Sequence, residues 1–177
     1  MDEATMTQLS NGSVMVNMRH TASKTLGRGV SVSHDNGATF GPISYDKTLI
    51  SPVCQASLVT ISGVTYFSNP ESTTGPSSRS IDDPLARFSL SMKTLRKASL
   101  LQALRFSERW RGAGRNHIGV RRSSDDTATW SGKHLIEAGN SAGYSCLVNA
   151  PVQGRGGILF ESLGAGNIAF ATFPLSF

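Results

Sequence analysis

A carboxylate and a guanidinium near the start of the chain are spaced so that one tight turn brings them together. Glu3 and Arg19 bracket two short runs of β character, ATMTQL and SVMVNMR, separated by Ser10-Asn11-Gly12. A turn at Asn-Gly between such runs signals a hairpin. Glu3 then lies across from Arg19, on one rim. Taken alone, Glu3 reads as a solvated terminal carboxylate. Other chemistries lack their residues. His20, His34, His117 and His134 have no metal-ligand spacing with Cys or carboxylates, so no metal is expected. Two cysteines exclude a disulfide scaffold and a Cys-rich zinc module; Cys54 and Cys146 are expected as buried thiols. No phosphate-cradling loop and no Ser–His–Asp order is evident. Asn11-Gly12-Ser13 is a glycosylation sequon that the hairpin turn explains fully.

Two octads repeat. Ser33-His34-Asp35-Asn36-Gly37-Ala38-Thr39-Phe40 fits S-x-D-x-G-x-T-[FW]. Ser123-Ser124-Asp125-Asp126-Thr127-Ala128-Thr129-Trp130 fits it with Thr127 in place of Gly. In such a turn the Asp carboxylate can accept backbone N–H groups, Gly37 takes a positive φ, and the aromatic packs under the sheet. Asp35 and Asp125 are therefore turn stabilisers and not catalysts. Thr127 is expected to strain or loosen the second turn.

The elements that must position these residues are strands. The chain has 177 residues, 38% hydrophobic and 16% charged, with 18 Gly, which suits one or two β-rich domains. Val14, Val16 and Met18 alternate with Met15, Asn17 and Arg19, a period of two. RGVSVSHD, QASLVTI and GVTYFSN follow, and NHIGVRRSSDD, ATWSGKHLI, YSCLVNA, GGILFES and NIAFATFPL resume the pattern after residue 115. Short strands at this spacing suggest a sandwich, barrel or propeller. The polar, acidic start MDEATMTQLSNG does not read as a signal peptide, and no apolar run approaches the ~20 residues of a membrane span.

The net charge of +5 belongs to one segment. Residues 76–114 hold eight Lys and Arg against three Asp and Glu, a surplus of five that leaves the remainder neutral. A whole-protein case for binding nucleic acid therefore fails. The segment reads as a basic insertion, helical or disordered; a surface or membrane-surface helix over 85–111 and a stretch foreign to the fold are the other readings.

The octads are Asp boxes, and they resemble those of sialidase-type β-propellers. Further segments carry the resemblance: Asp2-Glu3-Ala4 with Val16-Asn17-Met18-Arg19; Tyr66-Phe67-Ser68-Asn69-Pro70 with Arg115; Ser141-Ala142-Gly143-Tyr144-Ser145-Cys146-Leu147; and Gly156-Gly157-Ile158-Leu159-Phe160-Glu161. The resemblance covers 1–75 and 115–177, roughly the C-terminal half of an exo-α-sialidase catalytic domain. It implies an all-β fold, a partial six-bladed propeller of about three blades at ~40–50 residues each. Deleting 76–114 would restore family-like spacing before Arg115. The implied roles are Tyr144 as nucleophile, Glu3 as its base, Arg19 and Arg115 as binders of the substrate carboxylate, and Glu161 as the residue orienting another Arg.

These residue types suit an acidic sugar. Arginines clamp a carboxylate through bidentate charge-assisted bonds. A neutral phenol avoids the repulsion that a carboxylate nucleophile would meet, and sialidases use a Tyr nucleophile. The implied activity is retaining release of terminal sialic acid from glycoconjugates, without a cofactor. The family's general-acid Asp and its early F/Y-R-I-P-like Arg have no counterpart here, so activity of this chain alone is expected to be weak or absent. The missing N-terminal half of the propeller is the implied partner. A non-catalytic glycan-binding propeller and a basic interaction module through 85–111 are the rival readings.

Overall fold

In a computed structural model, the structure describes residues 1–21, 26–71, 115–137, 142–150, 152–162 and 167–177. The basic segment 76–114, with its expected helix or disorder and any membrane or nucleic-acid contact through 85–111, lies outside the described residues.

The described residues form eleven strands and no helix. The first sheet holds β1 (Ala4–Gln8), β2 (Val14–Met18), β3 (Arg28–Ser33) and β4 (Ser44–Asp46) in that order. The second holds β5 (Ser57–Ile61), β6 (Val64–Pro70), β7 (Ile118–Ser123) and β8 (His134–Glu137). The third orders β11 (Asn167–Pro174), β10 (Arg155–Ser162) and β9 (Ala142–Asn149). All pairings are antiparallel. The first strands adjoin one another, β1 beside β5 and β5 beside β9, as the inner strands of a propeller do. The fold is thus all-β, a partial β-propeller of about three blades.

Alternating side chains bury one face of each strand against the neighbouring sheet. Leu9, Met15, Leu49, Ala56, Leu58 and Phe67 fill the gap between the first two sheets. Ile61, Tyr66, Ile118, Val120, Leu147, Ile158, Phe160 and Phe173 fill the gap between the second and third. The β1–β2 hairpin closes as its sequence requires. Gly12 takes φ 87°, and the Asn11 side chain accepts the Ser13 N–H at 2.9 Å. The register then sets Ala4 against Met18, and Arg19 N–H donates to the Glu3 carbonyl at 2.9 Å.

The octads form the same turn twice. Asp35 accepts Ser33 Oγ at 2.7 Å, Thr39 N–H at 2.8 Å and Thr39 Oγ1 at 2.5 Å. Asp125 accepts Ser123 Oγ at 2.7 Å, Thr129 N–H at 3.0 Å and Thr129 Oγ1 at 2.6 Å. Led by the threonine hydroxyls, these bonds hold both carboxyls at about 2. Because the folded values are depressed, the stabilisation is present above the ordinary carboxylate range and is lost as pH falls through about 2. Ser33 Oγ accepts Gly37 N–H at 2.8 Å, and Ser123 Oγ accepts Thr127 N–H at 2.9 Å. The second turn is therefore formed rather than loosened.

Its cost lies in the backbone. Gly37 has φ 88° and Thr127 φ 70°, and a β-branched residue is disfavoured in that region. Thr127→Gly is expected to relieve this strain, less the extra entropy of Gly in the unfolded chain. The net gain is about 0.5–1 kcal/mol, read as a higher urea midpoint; an unchanged or lower midpoint would refute it.

Three expectations need correction. Trp130 packs edge-on against Phe67, with ring centroids 5.9 Å apart, and donates Nε1–H to Asp46 at 2.8 Å. Phe40, its equivalent in the first octad, is exposed. Cys54 and Cys146 are both free, but only Cys54 is buried; Cys146 faces outward from the third sheet. The run ATWSGKHLI becomes a strand only at His134–Glu137, after the turn.

Candidate active site

The inner ends of the first and third sheets bring together residues far apart in the chain. Tyr144 Oη donates to Glu3 Oε1 at 2.6 Å. Arg19 Nη1 lies 2.8 Å from both Glu3 oxygens. The Arg115 guanidinium sits over the Tyr144 ring, 5.7 Å from its centroid, within cation–π range. Its Nε and Nη2 donate to the Val53 carbonyl at 3.1 and 2.6 Å. Val53 has φ 59°, a strained conformation for a β-branched residue, and this aims its carbonyl at Arg115. Tyr144 and the three residues expected around its phenol, Glu3, Arg19 and Arg115, thus share one place.

Glu161 arrives differently. Its Oε2 accepts the Tyr144 N–H at 3.0 Å, and it makes no ion pair among the described residues. Gly143 makes this contact possible. A Cβ there would run into Glu161 Oε2 and approach the Glu161 Cβ to 2.8 Å. Gly143→Ala should push Glu161 aside and free the Tyr144 amide. We expect a destabilisation of about 1–3 kcal/mol and faster hydrogen exchange at Tyr144; unchanged exchange would contradict this.

The charges set the resting protonation state. Burial raises the Glu3 carboxyl, but the Tyr144 hydroxyl and Arg19 outweigh it and hold the value below the ordinary one. The hydrogen bond to Glu3, with burial and the Glu3 charge, raises the Tyr144 phenol against the pull of Arg115 and Arg19. At neutral pH the pair is O–H beside carboxylate, with the acceptor placed to take the proton. A cavity of about 260 Å³, lined in part by Tyr144, Cys146, Leu159, Glu161 and Ile168, opens beside the phenol.

Sequence reasoning missed Arg28. It is fully buried and donates to Asn17 Oδ1 at 2.7 Å and to the Cys54 carbonyl at 2.8 Å. Burial lowers its guanidinium to about 10, still charged at neutral pH. It braces the loop whose Val53 carbonyl holds Arg115. The one signal in the sequence was a charged residue between Gly27 and Gly29 at the start of an apolar strand.

No family model matches the chain. Over 176 residues it is 30% identical to a sialidase of Micromonospora viridifaciens, an alignment spanning 99% of this chain and 22% of that protein. A Hadza microbial sialidase superposes with a TM-score of 0.65 at 26% identity, over 98% of this chain and 27% of that one. The chain is thus similar to two sialidases over nearly all of its own length. Two intramolecular trans-sialidases share the fold at a TM-score of 0.58 each. The Ruminococcus gnavus enzyme, solved with oseltamivir carboxylate, is 15% identical, with 98% of this chain and 32% of its own covered. The leech enzyme, solved with 2,7-anhydro-Neu5Ac, is 17% identical, with 98% and 23% covered. The chain therefore spans less than a third of the length of each relative.

Proposed function

We propose that this chain is the part of a retaining exo-α-sialidase that carries the nucleophile, its base and two carboxylate-binding arginines, acting on terminal sialic acids of glycoconjugates. The 2.6 Å hydrogen bond between Tyr144 and Glu3, closed across 141 positions of sequence, carries this reading. The sialidase homology supports the same substrate class.

The chemistry follows from the resting pair. Tyr144 Oη forms a bond to the anomeric carbon as its proton passes to Glu3 Oε1. The glycosidic C–O bond breaks, and the leaving oxygen departs with the bonding electrons and takes up a proton. Water then attacks the same carbon and releases one proton to solvent as the bond from that carbon to Tyr144 Oη breaks; Glu3 returns its proton to Tyr144, and sialic acid leaves with its configuration retained. Arg19 and Arg115 hold the substrate carboxylate. Arg19 at the same time keeps Glu3 ionised until the proton arrives. The Asp-box turns keep a structural role. Residues 76–114 interrupt the propeller as a separate segment between 1–75 and 115–177. The remaining blades belong to the partner half.

An aryl α-sialoside with a fluorescent phenolate leaving group tests this, since such a group departs with little help from a general acid. The 177-residue chain should release fluorophore above the buffer rate, and NMR should show the α-anomer of sialic acid first. Glycan binding without release would favour the non-catalytic alternative. Neither binding nor release would overturn both.

A further inference from the structure

Glu3 leads into β1 and Tyr144 lies in β9, strands of different sheets, so the sheet between them must set how far apart they stand. β5 runs between β1 and β9, and its only backbone ladder is with β6. Side chains make its other connections. Toward the first sheet, Leu58 N–H donates to Thr5 Oγ1 at 3.3 Å, two residues beyond Glu3, and Thr60 Oγ1 lies 3.0 Å from Thr7 Oγ1.

Toward the third sheet the connections fall on one strand edge. β9 pairs with β10 on one side only. The alternate residues Gly143, Ser145 and Leu147 turn their backbone groups to its other edge, which a neighbouring strand would ordinarily cover. Three side chains from residues 54–57 cover it instead. The Gly143 carbonyl accepts Cys54 Sγ–H at 3.4 Å, Ser145 N–H donates to Gln55 Oε1 at 3.1 Å, and Leu147 N–H donates to Ser57 Oγ at 3.0 Å. Ser68 Oγ of β6 lies 2.8 Å from Ser145 Oγ. Cys54, Ser57, Ser68 and Ser145 are all buried. Tyr144 sits inside this side-chain ladder, and its own N–H goes to Glu161 beside the register shift between Phe160 and Ser162. The same stretch serves the arginines with backbone rather than side chains: the Val53 carbonyl accepts Arg115, and the Cys54 carbonyl accepts Arg28. The two tasks are therefore separable by substitution.

We propose that Gln55 and Ser57 are positioning residues for Tyr144, making β5 the spacer that brings the phenol to Glu3. The inference rests on the assignment of Tyr144 and Glu3 as nucleophile and base. A misplacement of about 1 Å in such a pair costs on the order of 100-fold in rate.

Gln55→Met keeps the length of the side chain and removes the acceptor. In the 177-residue chain it should speed hydrogen exchange at Ser145. It should raise the Glu3 carboxyl, followed by NMR titration, as the Tyr144 hydroxyl that helps lower it withdraws. It should lower kcat for the aryl sialoside by about 10- to 100-fold and leave KM within about twofold. Ser57→Ala, at a buried position outside the cavity lining, should speed exchange at Leu147 and move Glu3 and kcat in the same directions by smaller factors. Far-UV circular dichroism checks that each variant stays folded. A Glu3 carboxyl that stays in place in both variants, exchange unchanged at both amides, or a raised KM at constant kcat would overturn the proposal. Exchange and titration need no turnover. A Glu3 carboxyl that moves in both variants supports the spacer even where the wild-type chain releases no fluorophore, so its failure and that of the proposed function are told apart.

Discussion

Tyr144→Phe removes one oxygen atom and should lower aryl sialoside turnover by a factor on the order of 10⁴ or more. Among the described residues, the phenol is the only group on Glu3 Oε1 that can both attack carbon and release a proton to the carboxylate, at 2.6 Å. Losing it removes the covalent path rather than weakening binding, so the loss should fall on kcat and leave KM nearly unchanged. Tyr144 is partly exposed, and its ring contact with Arg115 survives in Phe. The fold should therefore persist. A second readout is independent of turnover. The Tyr144 hydroxyl helps hold Glu3 below its ordinary value. Its removal should raise the Glu3 carboxyl, followed by NMR titration. A variant with wild-type turnover and an unmoved Glu3 would contradict both halves.

Glu71→Gln should cost about 3 kcal/mol of stability. Glu71 sits at the end of β6, its side chain 3% exposed, and Arg121 of β7 donates to it from Nε at 3.1 Å and Nη2 at 2.9 Å. A fork-on-carboxylate pair of this kind is held by geometry as well as charge. Arg121 Nη1 also donates to the Ser131 carbonyl at 3.1 Å, just after the second octad. Neutralising Glu71 leaves a guanidinium with little access to water. Gly119 exists beneath the pair because a Cβ there would meet Glu71 Cγ at 2.8 Å. The urea midpoint should fall with an unchanged m-value. The double variant Glu71→Leu/Arg121→Met should recover much of the loss, since no charge is then stranded. A loss below about 0.5 kcal/mol in the single variant would show the pair to be as weak as a surface bridge.

Local patterns were legible where a short stretch fixes its own geometry. The Ser10-Asn11-Gly12 turn put Glu3 beside Arg19 because hairpin register follows from the turn. The octads announced their own hydrogen bonds, even with Thr127 replacing Gly. The meeting of Tyr144 with Glu3 came from family resemblance, since nothing local links strands in different sheets. What stayed hidden depends on neighbours. Phe40 and Trp130 look alike in sequence, yet Trp130 meets Phe67 and Asp46 of other strands while Phe40 is exposed. Cys146 alternates as a strand residue should, but its face is exposed among the described residues. Arg28 is buried against chemical expectation because Asn17 and the Cys54 carbonyl, distant in sequence, receive it. The Glu71–Arg121 pair closes across the segment 76–114, which obscured that β6 and β7 are adjacent strands. β4, only Ser44–Asp46, is too short to show a period.

A 3-fluorinated sialosyl fluoride gives the most direct measurement. Fluorine beside the anomeric carbon slows both steps by withdrawing electrons, while fluoride leaves readily, so a covalent intermediate accumulates. Intact-mass analysis followed by peptide mapping should find one fluorosialosyl adduct, on the peptide bearing Tyr144, and none in Tyr144→Phe. An adduct on a carboxylate, or on the same peptide after Tyr144 has been replaced, would place the nucleophile elsewhere.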